Sequence, residues 1–261
     1  MTIATTDRRR IELAGIDIEL ALHGEGRPLL LLSSEEQLEQ DLPLIADLAR
    51  RHQVIVPSAP GFGRSDRPDW ISNPDDIAYL YLELLDKLDL QGIAAIGFSL
   101  GGWIATEMAT KNPAVFSKLA LVSAYGIKFG GPYDVDIQDM WTSHPDKVAA
   151  WKWHDADKGK RDFLSMDDDA LGIVARNTES FARFCWDPYM HNPKLKRRLH
   201  RIKAPTLVIW GENDGLTSPV YGKAYADLIP GARFESIAAA GHYPHIEQPD
   251  AFGKILHPFL D

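Results

Sequence analysis

Short runs of apolar residues recur along this chain and alternate with segments in which apolar residues are spaced three or four positions apart. Unbroken apolar runs are typical of strands buried on both faces of a parallel sheet, and the wider spacing is typical of amphipathic helices. Strands are predicted at 28–32, 54–56, 93–96, 119–122, 206–210 and 233–237. Helices are predicted at 42–50, 77–90, 101–110 and 221–228. This alternation predicts an α/β fold in which helices flank a mostly parallel central sheet.

Two segments depart from this rhythm. Residues 11–22 alternate apolar and polar side chains around Ala14-Gly15, which indicates a hairpin. Residues 128–200 contain no predicted strand and are far longer than an ordinary connection of ~4–6 residues. Because they are rich in helix formers and aromatic residues, we predict a helical cap at 128–200, inserted into a core formed by 1–127 and 201–261. Each aromatic residue of the insertion could instead serve only to pack it against the core.

Composition narrows the class of protein and the partners it can have. Of 261 residues, 45% are hydrophobic and 25% are charged, as in an ordinary soluble globular protein. Cys185 is the only cysteine, which excludes a disulfide framework and indicates a reducing compartment. The net charge of -9 argues against nucleic-acid binding, and no apolar stretch approaches the ~18 residues that span a bilayer. We expect a cytoplasmic monomer or homodimer that acts on a small apolar molecule, with neither nucleic acid nor membrane as a partner.

The sequence Gly97-Phe98-Ser99-Leu100-Gly101 matches the pattern Gly-x-Ser-x-Gly. A predicted strand ends just before it, and a helix rich in glycine and alanine begins at its last residue. In this context the motif indicates a nucleophile elbow, a tight turn that presents the serine hydroxyl at the carboxyl edge of the sheet. Free N–H groups at the start of the helix favour negative charge that develops beside the serine. Ser99 is therefore the candidate nucleophile.

A serine hydroxyl becomes an effective nucleophile when a base removes its proton and a third group orients that base. On such a sheet the acid and then the histidine follow the serine in chain order. Asp214 follows the strand predicted at 206–210, and His242 follows the last predicted strand. All three groups therefore leave the same edge of the sheet, in the required order.

Two neighbouring residues are alternatives for these roles. Glu212 could replace Asp214 as the acid, and His245 could replace His242 as the base. The two histidines together with Glu247 could be mistaken for a metal site. There is no second ligand cluster and no helical His-Glu-x-x-His pattern, so neither a metal nor another cofactor is expected.

These motifs resemble those of the α/β-hydrolase superfamily, in particular its compact esterase and C–C hydrolase branch, which has a helical cap. The similarity extends over nearly the whole chain. It rests on the serine motif and on three further segments, at 58–65, 210–214 and 241–249. The resemblance implies an α/β-hydrolase fold in which Ser99 is the nucleophile, His242 the base and Asp214 the orienting acid, with no cofactor.

One segment departs from the family's pattern. After the strand at 28–32 the family has His-Gly and then a residue whose backbone N–H contributes to the oxyanion hole, whereas this chain has Ser33-Ser34-Glu35. The resemblance implies the backbone N–H groups of Glu35 and Leu100 as the two oxyanion donors. A misplaced donor would cost on the order of 10²–10³ in rate. The residues expected to contact the substrate are Ser34, Phe98, Trp141, Trp186 and Tyr243.

The motifs favour a serine hydrolase that cleaves a small-to-medium apolar carboxylic ester, lactone or thioester through an acyl-enzyme on Ser99. The alternative is a C–C bond hydrolase of ring-fission diketones with the same three residues. Its substrate has a carboxylate, for which Arg176 and Arg183 are candidate partners, although the acidic pair Glu35-Glu36 disfavours it. A third hypothesis, prompted by the missing His-Gly, is a non-hydrolytic lyase or ligand-binding protein.

Overall fold

An eight-stranded sheet forms the centre of the computed structural model, which describes residues 6–261. The strands are β1 (Thr6–Leu13), β2 (Ile16–His23), β3 (Arg27–Leu32), β4 (His52–Pro57), β5 (Ile93–Phe98), β6 (Phe116–Val122), β7 (Thr206–Gly211) and β8 (Arg233–Ile237). Their order across the sheet is β1-β2-β4-β3-β5-β6-β7-β8. Strands β1 and β2 form an antiparallel hairpin, β2 pairs antiparallel with β4, and the other pairs are parallel. The predicted α/β fold with a mostly parallel sheet is confirmed.

Helices cover both faces of this sheet. They are α1 (Leu42–Leu48), α2 (Pro74–Lys87), α3 (Leu100–Lys111), α4 (Pro145–Lys152), α5 (Asp168–Cys185), α6 (Pro219–Asp227), α7 (Pro244–Glu247) and α8 (Pro249–Leu260). Buried side chains of α2, α3 and α6 belong to the hydrophobic cluster on one face, and those of α1 and α8 belong to the cluster on the other. The predicted helices omit α8, so the second face is covered more fully than the sequence pattern indicates. No helix within residues 6–261 is both long enough and apolar enough to cross a membrane.

Alternate residues of a central strand face these two helical layers. In β3, Leu30 and Leu32 belong to one hydrophobic cluster, and Leu29 and Leu31 belong to the other. Successive side chains of a strand point to opposite faces of the sheet, so a strand covered on both faces is apolar at every position. This is why the run of four leucines predicts a central strand.

Residues 128–200 contain α4 and α5, and no strand of the sheet falls among them. Helix α5 lies against the loop that follows β4: the Ser180 hydroxyl donates to the carbonyl oxygen of Gly61 at 2.8 Å, and the Asn177 side chain accepts from the N–H of Gly63 at 2.9 Å. The division into core and cap stays a prediction. Residues 1–5 of the predicted core lie outside the described residues.

Helix α3 packs so closely on the sheet that its second residue has room for no side chain. A Cβ atom at Gly101 would lie 2.2 Å from the carbonyl oxygen of Leu32, the last residue of β3. The obstructing atom is backbone, so it cannot rotate away as a flexible side chain would. The glycine of the serine motif therefore fixes the distance between α3 and the end of β3.

We expect Gly101→Ala to lower the free energy of unfolding by about 3 kcal/mol, near the upper end of the usual cost of overpacking. Gly172→Ala is the matched control, because Gly172 lies inside α5 and a Cβ atom there meets nothing within 4 Å. That control should stabilise the protein by about 0.5–1 kcal/mol through helix propensity. Urea unfolding measures both values. Equal stability of the two variants would contradict the close packing at Gly101.

Candidate active site

Ser99 occupies a sharp turn between β5 and α3. Its backbone has φ 53° and ψ -115°, in the left-handed half of the Ramachandran plot, which residues other than glycine seldom occupy. The turn is held from both sides: the N–H of Ser99 donates to the carbonyl of Val122 at 2.9 Å, and its own carbonyl accepts from the N–H of Tyr125 at 3.3 Å. This geometry is that of the predicted nucleophile elbow.

The structure brings Ser99, His242 and Asp214 into one hydrogen-bonded chain. The hydroxyl oxygen of Ser99 lies 2.7 Å from Nε2 of His242, and Nδ1 of His242 lies 2.8 Å from Oδ2 of Asp214. The three residues leave the carboxyl ends of β5, β8 and β7, and each is at most 3% exposed to solvent. An imidazole bound on one side to a carboxylate and on the other to a hydroxyl has the geometry required of a general base.

The carboxylate of Asp214 is held by its own loop. Its Oδ1 accepts from the backbone N–H groups of Leu216 and Thr217, both at 3.0 Å. Its Oδ2 accepts from the Thr217 hydroxyl at 3.0 Å in addition to contacting His242. These bonds leave the side chain little freedom to turn away from the histidine.

The two alternative residues lie elsewhere. The Glu212 side chain accepts from the Ser236 hydroxyl at 2.9 Å on the exposed surface. His245 is buried, with Nε2 2.9 Å from Oδ1 of Asp41 and its ring 4.3 Å from that of Phe98. Neither residue is part of the chain that reaches Ser99.

The carboxyl-terminal end of α4 joins the loops that contain the aspartate and the histidine. The carbonyl of Trp151 accepts from the N–H of Gly215 at 2.9 Å, and the carbonyl of Lys152 accepts from the N–H of His242 at 2.7 Å. A Cβ atom at position 241 would lie 2.4 Å from the same Lys152 carbonyl, so Gly241 permits this approach. The helix thereby fixes the separation of His242 and Asp214 through backbone groups alone.

Tyr125 lies between Ser99 and Glu35, and no sequence motif pointed to it. Its ring is stacked on that of His242, with centroids 5.2 Å apart, and its hydroxyl donates to Oε1 of Glu35 at 3.3 Å. Burial, and next the negative charge of Glu35, raise the pKa of this phenol, so it stays protonated and can donate. Its position directly after an apolar strand was the available sequence signal.

A group of opposite charges lies beside this tyrosine and was also missed. The ammonium of Lys152 contacts the carboxylate of Glu36 and lies 3.6 Å from that of Glu35. Arg161 lies 3.9 Å from Glu36, whose Oε1 also accepts from the Tyr243 hydroxyl at 3.0 Å. The two carboxylates and two cations balance in charge. A lysine between two tryptophans, Trp151 and Trp153, was the signal that could have found this group.

Burial and charge act in opposite directions on this group. Burial disfavours the charged form of Lys152, but the carboxylates of Glu36 and Glu35 outweigh it and raise the pKa of the ammonium. Burial likewise disfavours ionised Glu36, but the charge and hydrogen bond of Lys152 outweigh it and lower the pKa of that carboxyl. Both groups are therefore ionised at neutral pH.

A cavity of about 390 Å³ lies next to this charged group. Its charged lining residues are Glu35, Glu36, Lys152 and Arg161. Its apolar walls include Trp141, Trp153 and Phe181, together with Met140, Val148 and Phe163. Ser99 and His242 are not among its lining residues; the cavity is linked to them through Tyr125, which contacts the lining residues Phe181, with ring centroids 6.2 Å apart, and Glu35.

The predicted substrate contacts are distributed over three environments. Trp141 lines the cavity, and Tyr243 lies beside it with its ring against His242 and its hydroxyl on Glu36. Trp186 instead packs on the outer side of Trp141 and is 56% exposed. Phe98 is buried in the hydrophobic cluster on the α1 and α8 face of the sheet. The structure thus differs from the prediction at Trp186 and Phe98: strand alternation turns Phe98 away from the cavity.

The segment predicted to supply oxyanion donors lies close to the elbow. Ser34 and Leu100 both line a small second cavity of about 10 Å³, and within residues 6–261 the Ser34 hydroxyl has no hydrogen-bond partner. Glu35 and Leu100 are buried, and in that same part of the chain no backbone acceptor pairs with their N–H groups. Their role as oxyanion donors stays a prediction.

The arginines predicted as partners of a substrate carboxylate have other partners. Arg176 donates to the carbonyls of Gly61 and Ser65, and Arg183 donates to the carboxylate of Asp69 at 3.1 Å. Neither arginine lines the cavity. Lys152 and Arg161 are the cations that do so.

Comparisons with known proteins agree with this geometry. The sequence profile of the Alpha/beta hydrolase family matches residues 21–255. The chain is 26% identical over 271 residues to 2-hydroxymuconate semialdehyde hydrolase of Pseudomonas putida, covering 97% of this chain and 93% of that protein. It is 29% identical over 235 residues to polyketide synthase ThaQ of Burkholderia thailandensis, covering 82% of this chain but only 11% of the synthase. The enol-lactonase of Burkholderia xenovorans shares the fold, with a TM-score of 0.77, 23% identity and coverage of 97% and 99% of the two chains.

We expect Lys152→Met to lower the free energy of unfolding at neutral pH by roughly 3 kcal/mol, because it leaves the buried carboxylate of Glu35 without its cation and Glu36 with only the more distant Arg161. Glu36 has a lowered pKa, so the contribution of its pair with Lys152 is present at neutral pH and lost as the pH falls through that pKa. The difference between variant and wild type should therefore shrink in acid.

Lys160→Met is the matched control, because Lys160 pairs with Asp157 on the exposed surface. Urea unfolding at several pH values should show an unchanged midpoint for this control. A midpoint for Lys152→Met equal to that of the wild type at neutral pH would contradict the assigned role of the ion pairs.

Proposed function

The chain belongs to the alpha/beta hydrolase family, and on that premise we propose that it hydrolyses a small-to-medium carboxylic ester, lactone or thioester through an acyl-enzyme on Ser99. The observation that supports this most directly is the continuous hydrogen-bonded chain from Asp214 through His242 to Ser99. Three polar side chains buried in this arrangement have the geometry of an activated nucleophile.

In the proposed reaction, Oγ of Ser99 attacks the substrate carbonyl while Nε2 of His242 takes the hydroxyl proton. Asp214 stabilises the imidazolium and keeps Nδ1 directed toward its carboxylate. The backbone N–H groups of Leu100 and Glu35 stabilise the negative oxygen of the tetrahedral intermediate. His242 then gives the proton to the leaving alcohol or thiol as the carbonyl forms again, which yields the acyl-enzyme.

Deacylation repeats these steps with water. His242 removes a proton from the water as its oxygen attacks the acyl carbon, and then returns that proton to Oγ of Ser99. The products are a carboxylic acid and the regenerated hydroxyl. The atoms and charges of both steps balance without an oxidant, a metal or another cofactor.

The cavity supports a substrate that is largely apolar but contains a polar group. Its volume of about 390 Å³ falls within the usual range of ~300–1,000 Å³ for small-molecule sites. The aromatic walls provide apolar contact, and the charged residues occupy the part next to Tyr125. This distribution supports a small or medium acyl group.

A C–C bond hydrolase acting on a ring-fission diketone is the second candidate. Lys152 and Arg161 line the cavity and have the charge that a substrate carboxylate requires. Both cations are already paired with the carboxylates of Glu35 and Glu36, so a further negative charge would be unbalanced. For this reason we place ester, lactone or thioester hydrolysis first.

We expect a fluorophosphonate to add once to the wild-type protein and not to Ser99→Ala, as measured by intact mass. The reagent reacts with a serine that has a base in reach and an oxyanion site. A single adduct that survives in Ser99→Ala would contradict the assignment of Ser99. A folded wild type that forms no adduct would favour the lyase or ligand-binding alternative.

We expect Asp214→Asn to lower kcat toward p-nitrophenyl esters by on the order of 10⁴-fold, because the amide no longer stabilises the imidazolium or fixes its tautomer. Glu212→Gln is the matched control, since Glu212 is an exposed acid in the same loop and does not contact His242. Its kcat should equal that of the wild type. A large loss of kcat in Glu212→Gln without such a loss in Asp214→Asn would assign the role of the orienting acid to Glu212 instead.

Turnover of a coloured dienol diketone with no turnover of esters would favour the C–C hydrolase.

A further inference from the structure

Glu35 is a buried carboxylate at the edge of the cavity. It is 3% exposed, lines the cavity of about 390 Å³, and follows the carboxyl end of β3 at the same edge of the sheet as Ser99. The proposed reaction uses only its backbone N–H. The mechanism assigns no task to its side chain.

Within residues 6–261, one oxygen of this carboxylate has a hydrogen-bond partner and the other has none. Oε1 accepts from the Tyr125 hydroxyl at 3.3 Å and lies 3.6 Å from Nζ of Lys152. Oε2 is buried and has no hydrogen-bond partner within residues 6–261. Leaving a buried acceptor unpaired costs about 1–3 kcal/mol, and more when the group is charged. Such a group in a folded protein is usually completed by a ligand or by water.

Glu35, which has this unpaired oxygen, is connected to Ser99 through one neighbouring residue. A single residue, Tyr125, connects Glu35 with Ser99. Its hydroxyl donates to Glu35, its ring is stacked on His242, and its backbone N–H donates to the carbonyl of Ser99. Ser99 and His242 do not line the cavity, so an acyl group bound at Ser99 would reach the cavity past Tyr125, whose hydroxyl contacts Glu35.

The charges around Glu35 limit the chemistry of its partner. An ionised carboxylate only accepts hydrogen bonds, so the partner must be a donor. Lys152 and Arg161 already balance Glu35 and Glu36, and a cation or an anion on the ligand would disturb that balance. An uncharged O–H or N–H group satisfies the oxygen without adding charge.

We propose that Oε2 of Glu35 accepts a hydrogen bond from an uncharged O–H or N–H group in the acyl part of the substrate. This inference rests on the proposed function and narrows its substrate class, from apolar esters to acyl compounds with a hydroxyl or amide donor close to the scissile carbonyl. Glu35 is then a specificity-determining residue.

Matched substrate pairs test this inference. The p-nitrophenyl esters of N-acetylglycine and 4-oxopentanoic acid differ by the replacement of N–H with CH₂. Those of 3-hydroxybutanoic and 3-fluorobutanoic acid differ by the replacement of the hydroxyl donor with fluorine. For each pair, kcat/KM of the donor ester is divided by kcat/KM of its partner, in the wild type and in each variant. Comparing this ratio between wild type and variant cancels the intrinsic reactivity of the esters. The two pairs distinguish an N–H donor from an O–H donor.

Glu35→Met removes both acceptor oxygens while keeping an unbranched side chain. We expect it to reduce the preference for the donor substrate of at least one pair by roughly tenfold to a hundredfold, the usual effect of a hydrogen bond to a charged group. Glu35→Gln, nearly equal in volume, keeps one acceptor oxygen without the charge and should give an intermediate ratio. It is also the variant that tests the inference if Glu35→Met does not fold.

Glu36→Gln is the matched control. Glu36 also lines the cavity and contacts Lys152, but neither of its oxygens is among the buried atoms without a partner in residues 6–261. Whatever its effect on rate, the ratio within each pair should equal that of the wild type. If the ratio of kcat/KM values is the same in the wild type and in Glu35→Met for both substrate pairs, the inference is overturned. Water, and not the substrate, would then donate the hydrogen bond to Oε2.

A binding measurement separates this inference from the proposed function. Affinities of the corresponding methyl esters for Ser99→Ala and for Ser99→Ala combined with Glu35→Met follow from quenching of Trp141 and Trp153 fluorescence, since both tryptophans line the cavity. A donor preference that disappears with Glu35→Met supports the inference without any turnover. Failure of the proposed function has a different signature, namely no fluorophosphonate adduct on the wild type.

Discussion

The hydrogen-bonded chain Asp214–His242–Ser99 is the constraint on which the rest of this structure depends. Each member is almost fully buried, so every polar atom it presents must find a partner at hydrogen-bond distance. That demand restricts how the loops of Ser99, Asp214 and His242 can be placed relative to one another. The parallel sheet meets it because the carboxyl ends of β5, β7 and β8 lie at one edge. The close contact of α3 with β3 then sets the position of the serine.

Helix α4 contributes to the same constraint from outside the sheet. Its last carbonyl groups bind the N–H of Gly215 and the N–H of His242, so one short helix holds the loops of Asp214 and His242 together. The side chain of Lys152 pairs with the glutamates of the loop after β3. Helix α4 therefore binds the loops of Asp214 and His242 through its backbone and the loop after β3 through the charge of Lys152.

In the proposed function, the charges beside the cavity alter the kind of substrate that the site favours. An apolar cavity alone would select by size and shape, whereas here two carboxylates and two cations form part of its wall. A charge removed from water needs a partner of opposite sign, and each of these charged groups has one. The unpaired oxygen of Glu35 is the exception beside Ser99. Selectivity for a donor group would arise from that exception.

The sequence by itself determined the sheet, the elbow at Ser99 and the loops of Asp214 and His242. Those features depend on local spacing: apolar runs, the glycines of the serine motif and the order of residues at strand ends. Only the tertiary structure decided between Asp214 and Glu212 and between His242 and His245, since each pair is separated by two or three residues and differs in which side chain faces the serine. It also decided the places of Phe98, Tyr125 and Lys152. Their contacts join parts of the chain that are distant in sequence, and a local pattern does not specify which distant residues meet.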